Sequence, residues 1–184
     1  MPADKPHPAD SQSDDDISWV FDDNHTLDLI IADKSWAKFI NDDLHKDVKQ
    51  LVLFVSGLLE NSGFSASMRW TNDAEMKALN RQFREKDKAT NVLSFPNDFH
   101  NQIEGRDDSL YLGDLAFGYE TMAKEASDMG ITVAAHMRHL IIHGLLHLIG
   151  CDHEDEEDAT EMEGLEIAAL SVIGVENPYQ GALL

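Results

Sequence analysis

A single cysteine, Cys151, has no partner inside the chain, so no internal disulfide framework supports this protein. Long apolar runs are missing too. None approaches the ~20 residues that a membrane-spanning helix requires, which argues against helical spans. The opening stretch MPADKPHPADSQSDDD lacks the basic start, apolar core and small-residue cleavage site of a secretory signal. These three absences predict a cytoplasmic protein with no membrane partner. Basic residues are scarce: 14 Lys and Arg stand against 35 Asp and Glu, a formal net charge of −21. Such a field repels nucleic acid and anionic membranes at long range, which argues against a nucleic-acid function. The plainer source of the acidity is solubility or a salty cytoplasm.

What is present suffices for one domain. At 184 residues the chain can bury a substantial core but is short for two domains, and its 42% hydrophobic content is ordinary. Residues 1–24, rich in Pro, Asp and Ser, are expected to form a disordered acidic tail, leaving 25–184 as a single domain. HTLDLIIA (25–32) and FSASMRWT (64–71) alternate apolar with polar side chains, as half-buried strands do. NVLSFP (91–96) and LYLGDLAFGY (110–119) read as two more strands, separated by a polar loop over 97–109. Helical spacing marks 35–59 as one helix or a pair. A short helix follows Asn72 or Asp73, and others cover 121–129, Thr132 to about Ile149, and about 155–173. This order predicts an α+β fold, a small mixed four-stranded sheet flanked by about five or six helices.

The densest chemistry lies in HGLLHLIGCDH (143–153). Residues four apart share one helix face, so His143 and His147 can address one ion. Gly150 permits a left-handed turn that reverses the chain, and Cys151 and Asp152 then bring His153 back over the helix end. Three imidazoles with a fourth position open are the arrangement of catalytic rather than structural zinc. Histidines beside apolar residues are more often satisfied surface or core groups, and an isolated pair would carry little weight. Three at this spacing with the intervening glycine carry much more. His136 and His139 continue the stripe and are expected to be hydrogen-bonding histidines around the ligands. Metzincin peptidases share the spacing but place a Glu general base where this chain has Gly144, so peptide hydrolysis by that route loses its base.

A second constellation is KALNRQFREKDK (77–88), with five of the fourteen basic residues. Its plain reading is a solvated helix end whose cations favour the dipole. Its functional reading is a phosphate clamp in which an Arg donates bidentately to an anion.

LNRQFREKDKATNVLSFP, LYLGDLAF, HMRHLIIHGLLHLIGCDH, EMEGLE and NPY, in that order over residues 25–180, resemble the YbeY family of bacterial zinc-dependent endoribonucleases. The resemblance implies a mostly parallel sheet with one antiparallel strand, and a role in ribosomal RNA maturation and ribosome quality control, including the 3′ end of small-subunit RNA. It implies His143, His147 and His153 as the ligands of one zinc ion per chain, and Arg84 as the arginine required for activity. Cys151 stands where an aromatic residue is usual, and Ala89 where a proline is usual. Packing is the expected role of Cys151.

The chemistry expected is metal-assisted cleavage of an RNA phosphodiester. Zinc held by three neutral imidazoles lowers the pKa of bound water towards ~7, so that water or hydroxide promotes the cleavage while Arg84 stabilises phosphate charge. Arg81, Lys86, Lys88, Asn91 and Ser94 are candidate substrate-binding residues. Asp114 is a candidate acceptor that orients a ligand histidine, with a plain buried polar role as the alternative. A screening length of only ~8 Å lets such a cleft be locally positive on an acidic protein. Single-stranded RNA is the expected substrate, since an exposed backbone can reach a recessed metal, with ribosomal proteins or small-subunit assembly factors delivering it. Two readings compete: a zinc hydrolase of another class, such as a peptidase with its base elsewhere, and a non-catalytic ribosome-assembly factor with structural zinc.

Overall fold

Acidic sequence does not prevent strand formation where only one edge must pair. The computed structural model describes residues 15–98, 110–153 and 155–180. Within them, β1 (Asp15–Val20) pairs antiparallel with β2 (His25–Ile31) although only Trp19 of its six residues is buried. Backbone bonds on one side hold it, Ser18 Oγ donates to Asp28 at 2.8 Å, and Trp19 packs edge-on against His45. An edge strand needs no apolar face of its own, which is why DDISWV reads as tail. The expected 1–24 tail is therefore corrected: 15–20 belong to the sheet. Residues 1–14 lie outside the described residues, as do 99–109 of the expected polar loop.

The Ser35–Leu59 segment divides into a 3-10 turn at Lys34–Trp36 and α1 (Asp42–Leu58), which Asn41 caps by accepting from the Leu44 amide. Then come β3 (Phe64–Thr71), α2 (Asp73–Arg84), β4 (Val92–Pro96), β5 (Leu110–Gly118), α3 (Tyr119–Met129), α4 (Val133–Leu148) and α5 (Glu156–Val172). The five strands lie in the order β1-β2-β3-β5-β4. β2/β3 and β3/β5 are parallel, while β1/β2 and β4/β5 are antiparallel. The fold is the expected mixed α+β domain with five helices among the described residues. The sheet has five strands rather than four, and its pairings divide evenly rather than being mostly parallel, because β1 adds a second antiparallel edge.

Period-two alternation gives the sheet two different faces. Leu27, Leu29, Met68, Leu115 and Phe117 point into the main core with α1 and α4. The other face carries a smaller cluster in which Met76 of α2 packs on Leu93 and Ala116. α4 is buried on most sides, nine of its sixteen residues lying inside, so it is a core helix rather than an amphipathic surface one. Its C-terminal turns carry the histidines to the surface. No described helix is long and apolar enough to cross a membrane.

Candidate metal centre

The last turns of α4 present His143 and His147 on one face, with ring centroids 4.6 Å apart. Gly150 then takes φ 97°, and the Cys151 amide bonds back to the Leu146 carbonyl at 3.0 Å. A side chain is strained in that left-handed region, so glycine is what allows the reversal. It returns His153 to ring-centroid distances of 5.0 Å from His147 and 5.6 Å from His143. One nitrogen of each ring lies within 4.8 Å of the others. His143 and His147 are partly buried and His153 is exposed.

The hydrogen bonds fix which nitrogens face inward. His147 Nδ1 lies 2.9 Å from the Cys151 carbonyl, which can only accept, so Nδ1 carries the proton. His143 Nδ1 likewise donates to a carboxylate oxygen of Glu166 at 2.7 Å. With Nδ1 occupied in each ring, Nε2 is the nitrogen left to face inward, and these two atoms approach to 3.2 Å. Two lone pairs so close repel unless a proton or a metal ion lies between them. Burial, and the nearby His143 and His153, hold His147 below the usual histidine range and favour its neutral, ligating form. The donor set fits a borderline-soft divalent ion such as zinc.

Glu166, which sequence reasoning missed, organises this arrangement. It is 1% exposed and accepts from His143 Nδ1, from His139 Nε2 at 2.7 Å, and from the Tyr179 hydroxyl. Burial pushes its pKa up, but these three donors outweigh that and hold the carboxyl at about 2. Burial and the Glu166 carboxylate push the Tyr179 hydroxyl up, so it stays a donor. The available signal was a carboxylate inside an apolar stripe, between Met162 and Ala169 of α5. His139, His143 and Glu166 also lie within ligand distance of one another, but their direct hydrogen bonds and the burial of Glu166 already account for that grouping.

Gly144 occupies the position of the metzincin base, and it is packed against Leu115 of β5. A Cβ there would meet Leu115 Cδ2 at 2.9 Å. The glycine lets α4 press onto β5, and any side chain there must displace Leu115. This removes the main support for the peptidase reading.

The basic segment ends α2. Arg84 is exposed, and its Nη2 donates to the Ser94 carbonyl of β4 at 3.1 Å. Ser94 pairs with Leu115, whose side chain covers Gly144 beside His143. Two paired strands, β4 behind the arginine and β5 against the histidine helix, thus connect the two groups. Buried Asn80, also missed, anchors the segment by donating to the Lys88 carbonyl at 2.8 Å. Arg81, Lys86 and Lys88 are exposed on this segment. Asp114 does not meet a ligand histidine: it is exposed on the α2 side of the sheet, where Tyr111 donates to it at 2.8 Å. Asn91 is likewise spent within the fold, donating to Glu125 at 2.9 Å and accepting from the Val92 amide, while Glu125 also bonds His136. Cys151 packs its side chain against the core, and burial pushes its thiol up, as expected of a filler.

The profile of the endoribonuclease YbeY family matches residues 30–174. An endoribonuclease YbeY of Sphingopyxis alaskensis is 50% identical over 117 residues, covering 61% of this chain and 70% of that protein. One from Erythrobacter litoralis is 47% identical over 129 residues, covering 68% and 80%. One from a Chelativorans species is 38% identical over 156 residues, covering 84% and 93%. A solution structure of a Thermotoga maritima protein shares the fold, with a TM-score of 0.56 and 22% identity over 80% of this chain and 88% of that one.

Proposed function

The chain belongs to the YbeY endoribonuclease family, an enzyme family of ribosomal RNA processing, and we propose that it cuts single-stranded RNA at the three-histidine centre. His143, His147 and His153 would hold one zinc ion. When bound, that ion supplies Lewis-acid polarisation of the phosphodiester and makes a solvent proton acidic near neutral pH. The chain's own residues supply the remainder. Glu166 fixes the His143 tautomer, and the Cys151 carbonyl fixes that of His147, so both rings offer their inner nitrogen. Arg84 would neutralise charge on the non-bridging phosphate oxygens. Arg81, Lys86 and Lys88 would attract the backbone.

Support for this reading comes chiefly from the convergence of His143, His147 and His153, whose nitrogens lie within 4.8 Å of one another. The exposure of His153 favours an open, catalytic centre over a closed structural one. The first turn of α5 carries Glu156, Glu157 and Asp158 a few residues beyond His153. Intrinsic RNA affinity is therefore weak, and ribosomal proteins or small-subunit assembly factors would deliver the substrate, in the cytoplasm, for 3′-end maturation and quality control. Incubation with a single-stranded RNA oligonucleotide, with and without chelator, tests the proposal. Cleavage that chelator abolishes and that is absent from a parallel Arg84→Ala preparation supports it; cleavage indifferent to both overturns it.

A further inference from the structure

The sheet face turned away from α4 is only partly covered by α2. Beside that helix lies a groove of about 360 Å³, walled by Leu79 and Phe83 of α2, Phe95 of β4, and Ile30 and Ala116 of the sheet. Phe83 is 54% exposed, and Phe95 meets it edge-on at 5.1 Å. Phe83 thus keeps more than half its surface in water, immediately before Arg84 in the chain. The polar lining sets the Asp114 carboxylate beside the Ser67 hydroxyl and the Arg69 guanidinium. Ser67 and Tyr111 share a hydrogen bond of 3.1 Å, Tyr111 donates onward to Asp114, and the exposed Asp114 carboxylate looks into the groove. Arg69, at the same wall, is engaged by Glu75 at 2.8 Å.

We propose that this groove is a nucleobase subsite, in which an unpaired base of the RNA stacks on Phe83 with its amino or imino edge toward Asp114, while the adjoining phosphate lies against Arg84. The inference rests on the ribonuclease reading above and adds to it a place for the base. Charge sorts the occupant. Arg84, exposed and next to Phe83 in the chain, attracts phosphate, whereas the Asp114 carboxylate lining the groove repels it and accepts N–H groups, which base edges supply. An apolar wall with one open aromatic face accepts any base by stacking. Arg84 joins the two sites, because it follows Phe83 in sequence and bonds Ser94 of β4, whose pairing partner Leu115 of β5 packs on Gly144 of the histidine helix.

The test is an equilibrium titration of the full-length protein with a single-stranded RNA oligonucleotide carrying one 2-aminopurine, followed by fluorescence and by anisotropy. Stacking quenches this base. Wild type is expected to quench it. Phe83→Ala and Phe83→Leu are each expected to lose the quench and about tenfold in affinity, while Phe83→Trp retains both. Leucine keeps the apolar packing without the ring face, and melting of each variant separates loss of fold from loss of contact. Phe83→Leu with unchanged quench and affinity would overturn the subsite and leave the groove to a protein partner. Wild type that neither binds nor cuts RNA would overturn the ribonuclease reading itself, so the two failures are distinct.

Discussion

His143 Nδ1 lies 2.7 Å from an oxygen of Glu166, a residue 23 positions later on another helix and almost wholly buried. That one contact settles which nitrogen of His143 faces His147, and so whether the pair can accept a cation. A carboxylate behind a ligand histidine also raises the basicity of the ring. Glu166→Gln keeps the shape but removes the charge. It is expected to lower zinc affinity roughly 10- to 100-fold, read by competition with a chromophoric chelator, with the far-UV circular dichroism unchanged.

Acid stability follows from the same network. Glu166 is held at about 2, below its ordinary 4.5, so the folded state binds fewer protons than the unfolded state between these values. Its stabilisation is complete above pH 4.5 and is lost as pH falls toward 2. His147 acts higher. With its pKa depressed below 6.5, the unfolded chain takes up the proton first, and stability declines as pH drops through that value. Urea melts of metal-free protein should weaken from pH 7 to pH 6 and again below 4.5. His147→Gln flattens the upper step, and Glu166→Gln the lower.

Placing a Glu at position 144 would complete the metzincin pattern on paper. In the protein it would bury a carboxylate against Leu115, since even a Cβ there meets that side chain at 2.9 Å. Gly144→Glu is expected to cost more than about 3 kcal/mol or to abolish folding, and to yield no peptidase activity. A stably folded variant that hydrolyses casein would reverse this view of the helix face.

Arg84 is exposed and holds one backbone carbonyl, so its removal spares the fold. Arg84→Ala should change stability by no more than about 0.5 kcal/mol and leave metal content intact. RNA cleavage should fall about 100- to 1000-fold, the range for loss of one preorganised charge-stabilising donor. Arg84→Lys restores little if the guanidinium binds phosphate in bidentate fashion.

The parts of the centre made from one stretch of chain were legible in the sequence. Helical spacing and the glycine turn were enough to bring His143, His147 and His153 together. Parts assembled across the fold were harder to see. Glu166 and Tyr179 reach the site from α5 and the segment after it, and only the presence of a carboxylate among Met162, Leu165 and Ala169 hinted at an inward role. Asp114 illustrates a readable signal that was misread. Leu115 and Phe117 face α4, so period-two alternation puts Asp114 and Ala116 on the opposite face, away from the histidines. β1 was hidden because edge pairing is a backbone interaction and leaves composition free. Arg84 stood out from its basic neighbours only through the family resemblance, since spacing along α2 does not reveal that its guanidinium reaches β4.

Elemental analysis of gel-filtered protein bears most directly on the imidazole cluster. The wild-type chain should carry close to one zinc or other transition-metal ion, and His143→Ala or His147→Ala, still folded by circular dichroism, close to none. A native chain without stoichiometric metal, or variants that keep it, would contradict a centre built on those rings.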